Sequence, residues 1–414
     1  MNDTAPPTDR QDADVIVIGA GAFGCNAAWH LRQRGVNVLV LEAMPAPATQ
    51  ATRAAAGFIA NFATIHREDW EEVEWRMQQY GIEFYTRLAN TCGHDIAFCA
   101  CGIAYIYQTD EGWETVHPLI DRARKLGTPL EVLDRGRASD LLPQIEFDNV
   151  AGIIFDPQSI RIRAGDAIPA LAAKMQADGV RFQFETTVEA FEQSDGHITG
   201  VRTNRGVIHS SKIIVAAGAW SRPLVEATGA VFRSDPLVVT RYVTRPLAGI
   251  LPHMPMLIFS DSVHRFFIRE ESGGLLIGGV DEPPFPPDRY VDPASPPLAD
   301  DLPHDQAYRM RDYIRTIEHV MPVLGDAEID RIDAGLPNYS PDRHFIVDAV
   351  PESTGLYVMA ACNEAGITHG PALGRHITEL VLDGQTQLDR TRFAIDRNFP
   401  VEPESRGSSW SENW

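Results

Sequence analysis

A glycine-rich turn between a buried strand and a helix constrains the fold of this chain more than any other feature. Residues 14–18 (Asp-Val-Ile-Val-Ile) form an apolar run typical of a buried parallel strand. Gly19–Gly24 (Gly-Ala-Gly-Ala-Phe-Gly) follow, then a helical stretch and a second apolar run over 36–41 that ends at Glu42. This order, with an acid at the end of the second strand, predicts a β-α-β unit that binds a dinucleotide.

Each residue of this motif has a physical role. Gly19 permits the tight turn, Gly21 lets backbone N–H groups approach a pyrophosphate, and Gly24 lets the helix pack close to the strand. Glu42 can accept hydrogen bonds from ribose hydroxyls, and its charge disfavours the 2′-phosphate of NADP. The remaining chain is strand-rich and does not continue as five further β-α units, which favours a two-domain FAD protein over an NAD dehydrogenase.

Composition excludes several classes of partner. The 414 residues are 44% hydrophobic and 22% charged, as in a soluble globular protein of one large or two medium domains. The formal net charge of -21 repels nucleic acid and anionic membrane surfaces. No apolar stretch approaches 18 residues, so we expect no membrane span. The polar start of the sequence does not resemble a signal peptide. The five cysteines are odd in number and include no C-x-x-C, so we expect neither a disulfide framework nor a zinc site. Both observations favour a cytoplasmic location.

Periodicity predicts the other elements in outline. We expect helices over 70–85, 164–179, 306–319 and 370–383, and strands over 96–107, 237–244, 265–279 and 355–361. Residues 180–215 predict short strands with turns at Asp195-Gly196 and 204–206, and 283–303 is a proline-rich loop.

Five further segments carry a resemblance to a known family. They are 212–221 (Lys-Ile-Ile-Val-Ala-Ala-Gly-Ala-Trp-Ser), 52–57 (Thr-Arg-Ala-Ala-Ala-Gly), 186–188 (Thr-Thr-Val), 340–348 (Ser-Pro-Asp-Arg-His-Phe-Ile-Val-Asp) and 355–370, which begins Gly-Leu-Tyr-Val-Met-Ala-Ala-Cys-Asn-Glu-Ala-Gly. Together with the glycine motif they resemble the D-amino-acid-oxidase-like flavoprotein family, the group that includes glycine oxidase, sarcosine oxidase and dimethylglycine dehydrogenase.

The resemblance implies an α/β fold with an α+β second domain. A Rossmann-like FAD-binding domain would comprise 12–89, 148–231 and 326–390. An inserted substrate domain with a mixed or antiparallel sheet would comprise 90–147 and 232–325. The segments 1–11 and 398–414 would be flexible tails.

The same resemblance implies the residues that contact FAD. They lie in the glycine turn, at the end of the second strand, in the loop that faces the flavin, beside the adenine, and in the two later turns. The set is Gly19, Gly21, Ala22, Phe23, Gly24, Glu42, Ala43, Thr52, Arg53, Ala55, Ala56, Gly57, Val188, Ala217, Gly218, Trp220, Asn363, Ala365, Gly366, Ile367 and Thr368.

Departures from the family pattern sharpen the expectation. Relatives that attach the flavin covalently use a histidine or a cysteine at positions that are Ala54 and Gly335 here, so we expect non-covalent FAD. The lysine that promotes reaction with oxygen in sarcosine oxidases corresponds to Leu276, which makes a dehydrogenase comparable with an oxidase. The arginine that clamps an amino-acid carboxylate corresponds to Pro337, which disfavours a plain D-amino acid.

These observations predict an FAD-dependent oxidoreductase that removes hydride from the carbon next to an amine nitrogen, giving an imine that hydrolyses. The expected substrate is a small amine or amino acid, with a secondary or N-methylated amino acid favoured, and the expected electron acceptor is oxygen or another carrier. Arg265, Tyr339 and His369 are the candidate catalytic residues, although each also fits a packing or surface role.

Other candidates and functions stay open at this point. Arg53, Arg241 and Arg265 are alternative carboxylate-binding groups, and Glu364 can bind a cationic amine or cap a helix. A 2-hydroxy-acid dehydrogenase, a flavin subunit of a larger electron-transfer complex and an NAD-dependent dehydrogenase are the competing functions.

Overall fold

The computed structural model describes residues 12–61, 72–261, 265–279, 287–302 and 307–399. Within them lie eight α-helices: α1 (Ala22–Gln33), α2 (Glu72–Thr91), α3 (Asp110–Lys125), α4 (Arg135–Leu141), α5 (Ala164–Ala177), α6 (Ser221–Glu226), α7 (Ala307–Ile317) and α8 (Gly366–Asp383).

The same ranges contain strands that form two large sheets and three small ones. They are β1 (Val15–Ile18), β2 (Val38–Leu41), β3 (Phe58–Ile59), β4 (Ile103–Tyr107), β5 (Glu131–Val132), β6 (Gly152–Asp156), β7 (Ile160–Arg161), β8 (Arg181–Gln183), β9 (Val188–Ser194), β10 (His197–Thr203), β11 (Gly206–His209), β12 (Ile213–Val215), β13 (Asp235–Pro236), β14 (Val239–Thr244), β15 (Met256–Phe259), β16 (Phe266–Glu271), β17 (Gly274–Gly279), β18 (Ile329–Gly335), β19 (Asn338–Tyr339), β20 (Ile346–Ala349) and β21 (Leu356–Ala360).

A six-stranded sheet carries the glycine motif. Its order is β20-β21-β12-β1-β2-β8, and all neighbours are parallel except β20 and β21. All residues of β1 and β2 are buried, because α1, α2, α5 and α8 pack on one face and the three-stranded sheet β11-β10-β9 contributes to the core on the other. The carboxyl ends of β1, β2, β12 and β21 therefore meet at one edge.

An eight-stranded sheet, in the order β18-β14-β17-β16-β15-β4-β6-β5, lies across this edge. Its neighbours are antiparallel except β15 and β4. Helices α4 and α7 pack on one face, while α3 packs near β4. The opposite face of β14 and β16 points side chains toward the ends of the parallel strands. No helix in the described ranges is both long and apolar enough to cross a bilayer.

Most of the predicted elements form, with shifted ends. Helix α5 begins at the predicted residue 164, and the Asp195-Gly196 turn joins β9 to β10 with φ of 51° and 76°. The predicted strand over 96–107 is regular only in β4, and α8 begins at Gly366 rather than at residue 370. The predicted start of α2 at residue 70, the tail 1–11 and part of the 283–303 loop lie outside the described residues.

The predicted domain ranges and the sheets disagree at two boundaries. Strands β6 and β18 pair within the eight-stranded sheet, whereas the predicted segments 148–231 and 326–390 assign them to the FAD-binding side. An apolar run such as Ile153-Ile154-Phe155 indicates that a strand forms, but it does not indicate which strand will be its partner.

Candidate active site

A cavity of about 800 Å³ lies between the two large sheets. The last residues of β1 and β2 and the turns after β12 and β21 line one side, and residues of β14, β15 and β16 line the other. Ligands of open parallel sheets bind at this edge, outside the carboxyl ends of the strands.

The glycine turn brings separate stretches of backbone into close contact. Gly19 has a φ of +104°, and a Cβ there would lie 2.5 Å from the carbonyl oxygen of Ala216. A Cβ at Gly24 would lie 1.9 Å from the carbonyl oxygen of Gly19, so only glycine lets α1 pack this close. At Gly21 the nearest atom to a Cβ is Thr52 Oγ1 at 3.4 Å. Packing of the protein therefore does not require glycine at position 21. The absence of a side chain there leaves space in the cavity for a ligand.

The N-terminus of α1 faces the cavity. Gly21, Ala22 and Phe23 line it, and the Ala22 N–H donates to Thr52 Oγ1 at 3.1 Å. The first turn contains no acidic residue, so no local carboxylate offsets the partial positive charge of the helix end. Such an end attracts phosphate.

Glu42 lies beside this turn at the end of β2. Its two carboxylate oxygens accept from the Ala20 N–H at 2.6 Å and the Met44 N–H at 3.0 Å. Burial raises the pKa of Glu42, although these hydrogen bonds favour the carboxylate. Each oxygen retains a lone pair for another donor, such as a hydroxyl group.

The loop after β21 is strained where it meets the cavity. Its non-glycine residues with positive φ are Ala361 (54°), Asn363 (45°) and Glu364 (64°). Asn338 holds the loop: its amide oxygen accepts from Cys362 N–H at 3.3 Å, and its amide nitrogen donates to the Gly218 carbonyl at 3.1 Å. Strained backbone of this kind, fixed by its surroundings, is concentrated at functional sites.

An ion pair joins the two sides of the cavity at its other end. Nη2 of Arg241 on β14 lies 2.5 Å from Oε2 of Glu364, and the Tyr339 hydroxyl donates to the other carboxylate oxygen. Arg241 is 5% exposed, and its guanidinium lies over the Phe267 ring at 5.0 Å. Burial raises the pKa of Glu364, but the charge of Arg241 and the two hydrogen bonds outweigh it and hold that pKa below its usual value. Burial and the Glu364 charge raise the pKa of Tyr339, which stays a protonated donor.

Aromatic rings surround this ion pair. Phe58 and Phe267 meet edge to face with centroids 4.9 Å apart, and both line the cavity. Arg265 and Arg343 also line it, and the Arg343 guanidinium stacks over the Tyr339 ring at 4.9 Å. This end is therefore apolar with a few charged groups, as in sites for small organic molecules.

Most residues singled out from the sequence line this cavity. All of the predicted FAD contacts do so except Gly24 and Arg53, and among the predicted catalytic residues Arg265 and His369 do. Tyr339 does not line the cavity and acts on it through Glu364. His369 is buried, with Nδ1 3.1 Å from the Ala365 carbonyl oxygen and its ring 4.9 Å from that of Phe345.

Arg53 is the clearest correction among the predicted residues. Its guanidinium forms an exposed ion pair with Asp300 at 2.7 Å and does not reach the cavity. The neighbouring Thr52 and Ala54 line the cavity instead, because successive side chains of this turn point in different directions.

Sequence reasoning missed several residues that line the cavity. Phe58, Glu74, Phe267 and Arg343 are the main ones. Two of the lining residues missed by the sequence prediction belong to α2, where Glu74 and Gln78, one turn apart, are polar residues on the buried face. Polar side chains on an otherwise apolar helix face are the signal that indicates such a wall.

Metal and disulfide chemistry receive no support from the described residues. None of their His, Cys, Asp and Glu side chains form a group of three or more that could hold a metal ion. All five cysteines are free thiols, and burial raises the pKa of Cys362, which lines the cavity, to about 11.

Comparison with known proteins now identifies the family. Residues 14–380 match the family model described as FAD dependent oxidoreductase (DAO). The chain belongs to this family. The resemblance inferred from the sequence motifs, the dependence on FAD and the fold class are thereby confirmed.

Individual relatives are distant. The 4-methylaminobutanoate oxidase (formaldehyde-forming) of Paenarthrobacter nicotinovorans is 26% identical over 388 residues, 92% of this chain and 45% of that protein. The mitochondrial pyruvate dehydrogenase phosphatase regulatory subunit of Mus musculus is 24% identical over 394 residues, 92% of this chain and 43% of that protein. The chain thus spans less than half the length of these relatives.

The fold is shared with a solved structure over nearly the whole chain. L-proline dehydrogenase from P. horikoshii matches with a TM-score of 0.78 at 22% identity, covering 93% of this chain and 97% of that one. This FAD-dependent oxidoreductase family member therefore shares its fold with that structure.

Proposed function

We propose that this chain oxidises the C–N bond of a secondary or N-methylated amino acid, with FAD bound non-covalently. The observation that carries the proposal is the continuity of one cavity. It joins a phosphate-binding turn with Glu42 at one end to an aromatic pocket with the Arg241–Glu364 pair at the other. The similarity to 4-methylaminobutanoate oxidase, whose substrate is an N-methylated amino acid, supports the substrate class.

The residues present fit FAD. The close backbone contacts at Gly19 and Gly24 leave space beside Gly21 for a pyrophosphate at the N-terminus of α1. We propose as contacts the predicted residues that line the cavity, with Gly24 acting through packing and Arg53 excluded.

The absence of a covalent link has geometric support. Ala54 and Gly335, the two positions at which different relatives carry an attachment residue, both line the cavity and are neighbours: a Cβ at Gly335 would lie 3.1 Å from the Ala54 Cβ. Two attachment positions that are far apart in the sequence therefore lie side by side in the cavity. Neither alanine nor glycine has a nucleophilic side chain that could bond to the flavin.

FAD supplies a two-electron acceptor when bound. The chain contributes the environment of the amine. A ring pair such as Phe58 and Phe267 excludes water and disfavours the charged form of the amine, which must be neutral to release hydride. No residue need act as a dedicated base, because desolvation lowers the pKa of the amine itself.

We propose that Arg241 binds the substrate carboxylate. Pro337 stands where the family pattern has an arginine. The Arg241 guanidinium reaches the same neighbourhood, because it pairs with Glu364. Glu364 in turn accepts a hydrogen bond from Tyr339, two residues beyond Pro337. The Nε of Arg241 is buried and has no hydrogen-bond acceptor among the described residues. An incoming carboxylate that shifts the Glu364 side chain would complete this fork.

An anaerobic substrate screen tests the proposal. Purified holoprotein is mixed with 4-methylaminobutanoate, other N-methyl and cyclic amino acids, D-amino acids and 2-hydroxy acids, and loss of the oxidised flavin absorbance is followed. Reduction by secondary amines, with little by primary amines, is expected. Reduction by 2-hydroxy acids alone would instead establish the alternative dehydrogenase activity.

The relationship to a regulatory subunit favours a second candidate, a flavin-bearing subunit of a larger complex. This function predicts that no small amine reduces the flavin at a useful rate. It also predicts co-purification of a partner at fixed stoichiometry, which size-exclusion chromatography of the native protein detects. The electron acceptor, oxygen or another carrier, can be identified by repeating the reactions of the substrates that reduce the flavin in the presence and absence of oxygen.

A further inference from the structure

A buried arginine lies directly behind the loop 52–57. Arg269 on β16 is 4% exposed and is not among the residues that line the cavity. Its Nε donates to the Ala56 carbonyl oxygen at 2.6 Å. Ala56 and Gly57 both line the cavity, so this hydrogen bond connects a buried cation to the wall of the cofactor site.

Peptide geometry determines what this contact does. In a trans peptide the C=O and the following N–H point in opposite directions. Because the Ala56 carbonyl points at Arg269, the N–H of Gly57 points away from Arg269, and Gly57 itself lines the cavity. The described residues provide no acceptor for this N–H, and an unpaired buried N–H is rare unless a ligand completes it.

The conformation of this peptide is fixed from both sides. Gly57 has a φ of +75°, and a Cβ there would lie 1.9 Å from the Ile162 carbonyl oxygen. The Gly57 carbonyl accepts from the Ile162 N–H at 3.1 Å, and the Phe58 carbonyl accepts from the Thr368 hydroxyl at 2.9 Å. The peptide dipole therefore has one orientation, which Arg269 reinforces.

Arg269 is itself held by an acid on the same strand. Its Nη1 lies 2.5 Å from Oε2 of Glu271, whose side chain is 3% exposed and also pairs with Arg163 at 3.0 Å and Arg331 at 3.4 Å. Arg163 and Arg331 have further partners in Asp166 and Asp333, so Glu271 is the carboxylate that Arg269 depends on.

The site also differs from the lysine arrangement expected from relatives. Leu276, which takes the place of that lysine, is directly opposite Arg269 in the β16–β17 register. The cation in this part of the sheet is therefore Arg269, one strand away from the position of the lysine in relatives. It contacts the peptide of the loop and does not line the cavity.

We propose that Arg269 is a positioning residue that orients and polarises the Ala56–Gly57 peptide, so that the Gly57 N–H stabilises negative charge on the bound flavin. The inference depends on FAD binding, which family membership establishes, and not on the amine proposed as substrate.

Sulfite binding to the holoprotein tests this role, because sulfite adds to oxidised flavin and leaves negative charge on it. Arg269→Met removes the cation, and the sulfite Kd is expected to rise about 10-fold, with a lower midpoint potential of the flavin. Arg269→Lys, which keeps the charge, is expected to recover most of the affinity. Glu271→Gln removes the counter-charge and is expected to lower the Kd several-fold.

Arg163→Met is the matched control, since the Arg163 side chain pairs with Glu271 and Asp166 but forms no hydrogen bond with a residue of the loop 52–57. It is expected to change the sulfite Kd by less than about 3-fold. Opposite effects of Arg269→Met and Glu271→Gln support the proposal, because a purely structural network would weaken binding in both. Equal weakening in all three variants, or an unchanged Kd and potential in Arg269→Met, overturns it. If Arg269→Met does not fold, Arg269→Lys and Glu271→Gln still give the sign. None of these measurements requires amine oxidation, so failure of the proposed substrate class would be seen separately.

Discussion

The two ends of the cavity are built from different chemistry. At the nucleotide end, the backbones of Gly19 and Gly24, which belong to the same turn, approach so closely that a methyl group at Gly24 would clash. At the substrate end, side chains make the contacts, and Arg241 and Glu364 are 123 positions apart in the chain. Backbone contacts within one turn follow a local spacing rule, whereas distant side-chain pairs do not. The first end is therefore common to a family, and the second can distinguish its members.

The sharpest way to break this comparison is at Gly24. We expect Gly24→Ala to destabilise the flavin-free protein by more than about 3 kcal/mol, because the methyl group would lie 1.9 Å from a backbone oxygen. Gly21→Ala, whose Cβ has ordinary clearance, is the matched control and should weaken FAD binding without lowering stability. Urea unfolding and FAD titration separate the two effects. Equal stability of both variants would show that the nucleotide end is not limited by backbone packing.

At the substrate end the corresponding change is Arg241→Gln. It leaves Glu364, whose side chain is 26% exposed, without its charged partner, and we expect a loss of about 2 kcal/mol in the free energy of unfolding. The double variant Arg241→Gln/Glu364→Gln should recover most of it, since no unpaired charge remains. Urea unfolding of the single and double variants measures the coupling. A double variant as unstable as Arg241→Gln would mean that packing, not charge, holds the two sides together.

Acid should destabilise the helices that pack on the six-stranded sheet. His30 on α1 and His376 on α8 have their pKa lowered to about 4, chiefly by burial. The unfolded chain binds protons at these residues from about pH 6.5 downward and the native protein does not, so stability falls as the pH drops from 6.5 toward 4. The expected loss is about 2 kcal/mol per histidine by pH 5. The pKa of Glu364 is lowered, so the substrate-end ion pair persists over this range.

Unfolding of His30→Phe at pH 7.5 and pH 5 measures the effect. The variant should lose less stability on acidification than the parent, and His209→Gln, at an exposed position, should behave as the parent does. If His30→Phe loses as much stability on acidification as the parent, protonation of His30 does not cause the loss.

The smallest expected effect is that of Tyr339→Phe. The change removes one hydrogen bond to Glu364 and should cost about 1 kcal/mol in the free energy of unfolding. The released carboxylate oxygen can then turn to the Nε of Arg241, which offsets part of the loss. A much larger loss of the free energy of unfolding, measured with urea, would show that the Tyr339 hydroxyl is needed to orient the Arg241–Glu364 ion pair and does more than contribute one hydrogen bond.

What the sequence could predict follows the same division. The glycine turn, the acid at Glu42 and the Asp195-Gly196 hairpin are local patterns with one physical solution, and all three form as expected. Helix α3 was missed because Gly112 and Pro118 interrupt its pattern, although Thr109 caps it and its first turn is acidic.

The substrate end could not be predicted to the same degree. The sequence offered Arg53, Arg241 and Arg265 as equivalent cations, and only packing of the sheets places Arg53 on the surface and the other two at the cavity. Arg269 gave no signal of its own, since it is one of three charged residues, with Glu270 and Glu271, that end β16. Partners of this kind are chosen by tertiary contacts, which a single sequence does not contain.

The interior position of β21 in the six-stranded sheet has a consequence for biosynthesis. This strand lies between β12 and β20, and the loop after it is fastened through Asn338 to the Gly218 turn. A growing polypeptide on the ribosome has therefore already made the glycine motif more than 300 residues before the last wall of the pocket emerges. Capture of the cofactor must therefore wait until the loop after β21 has been synthesised, long after the glycine motif.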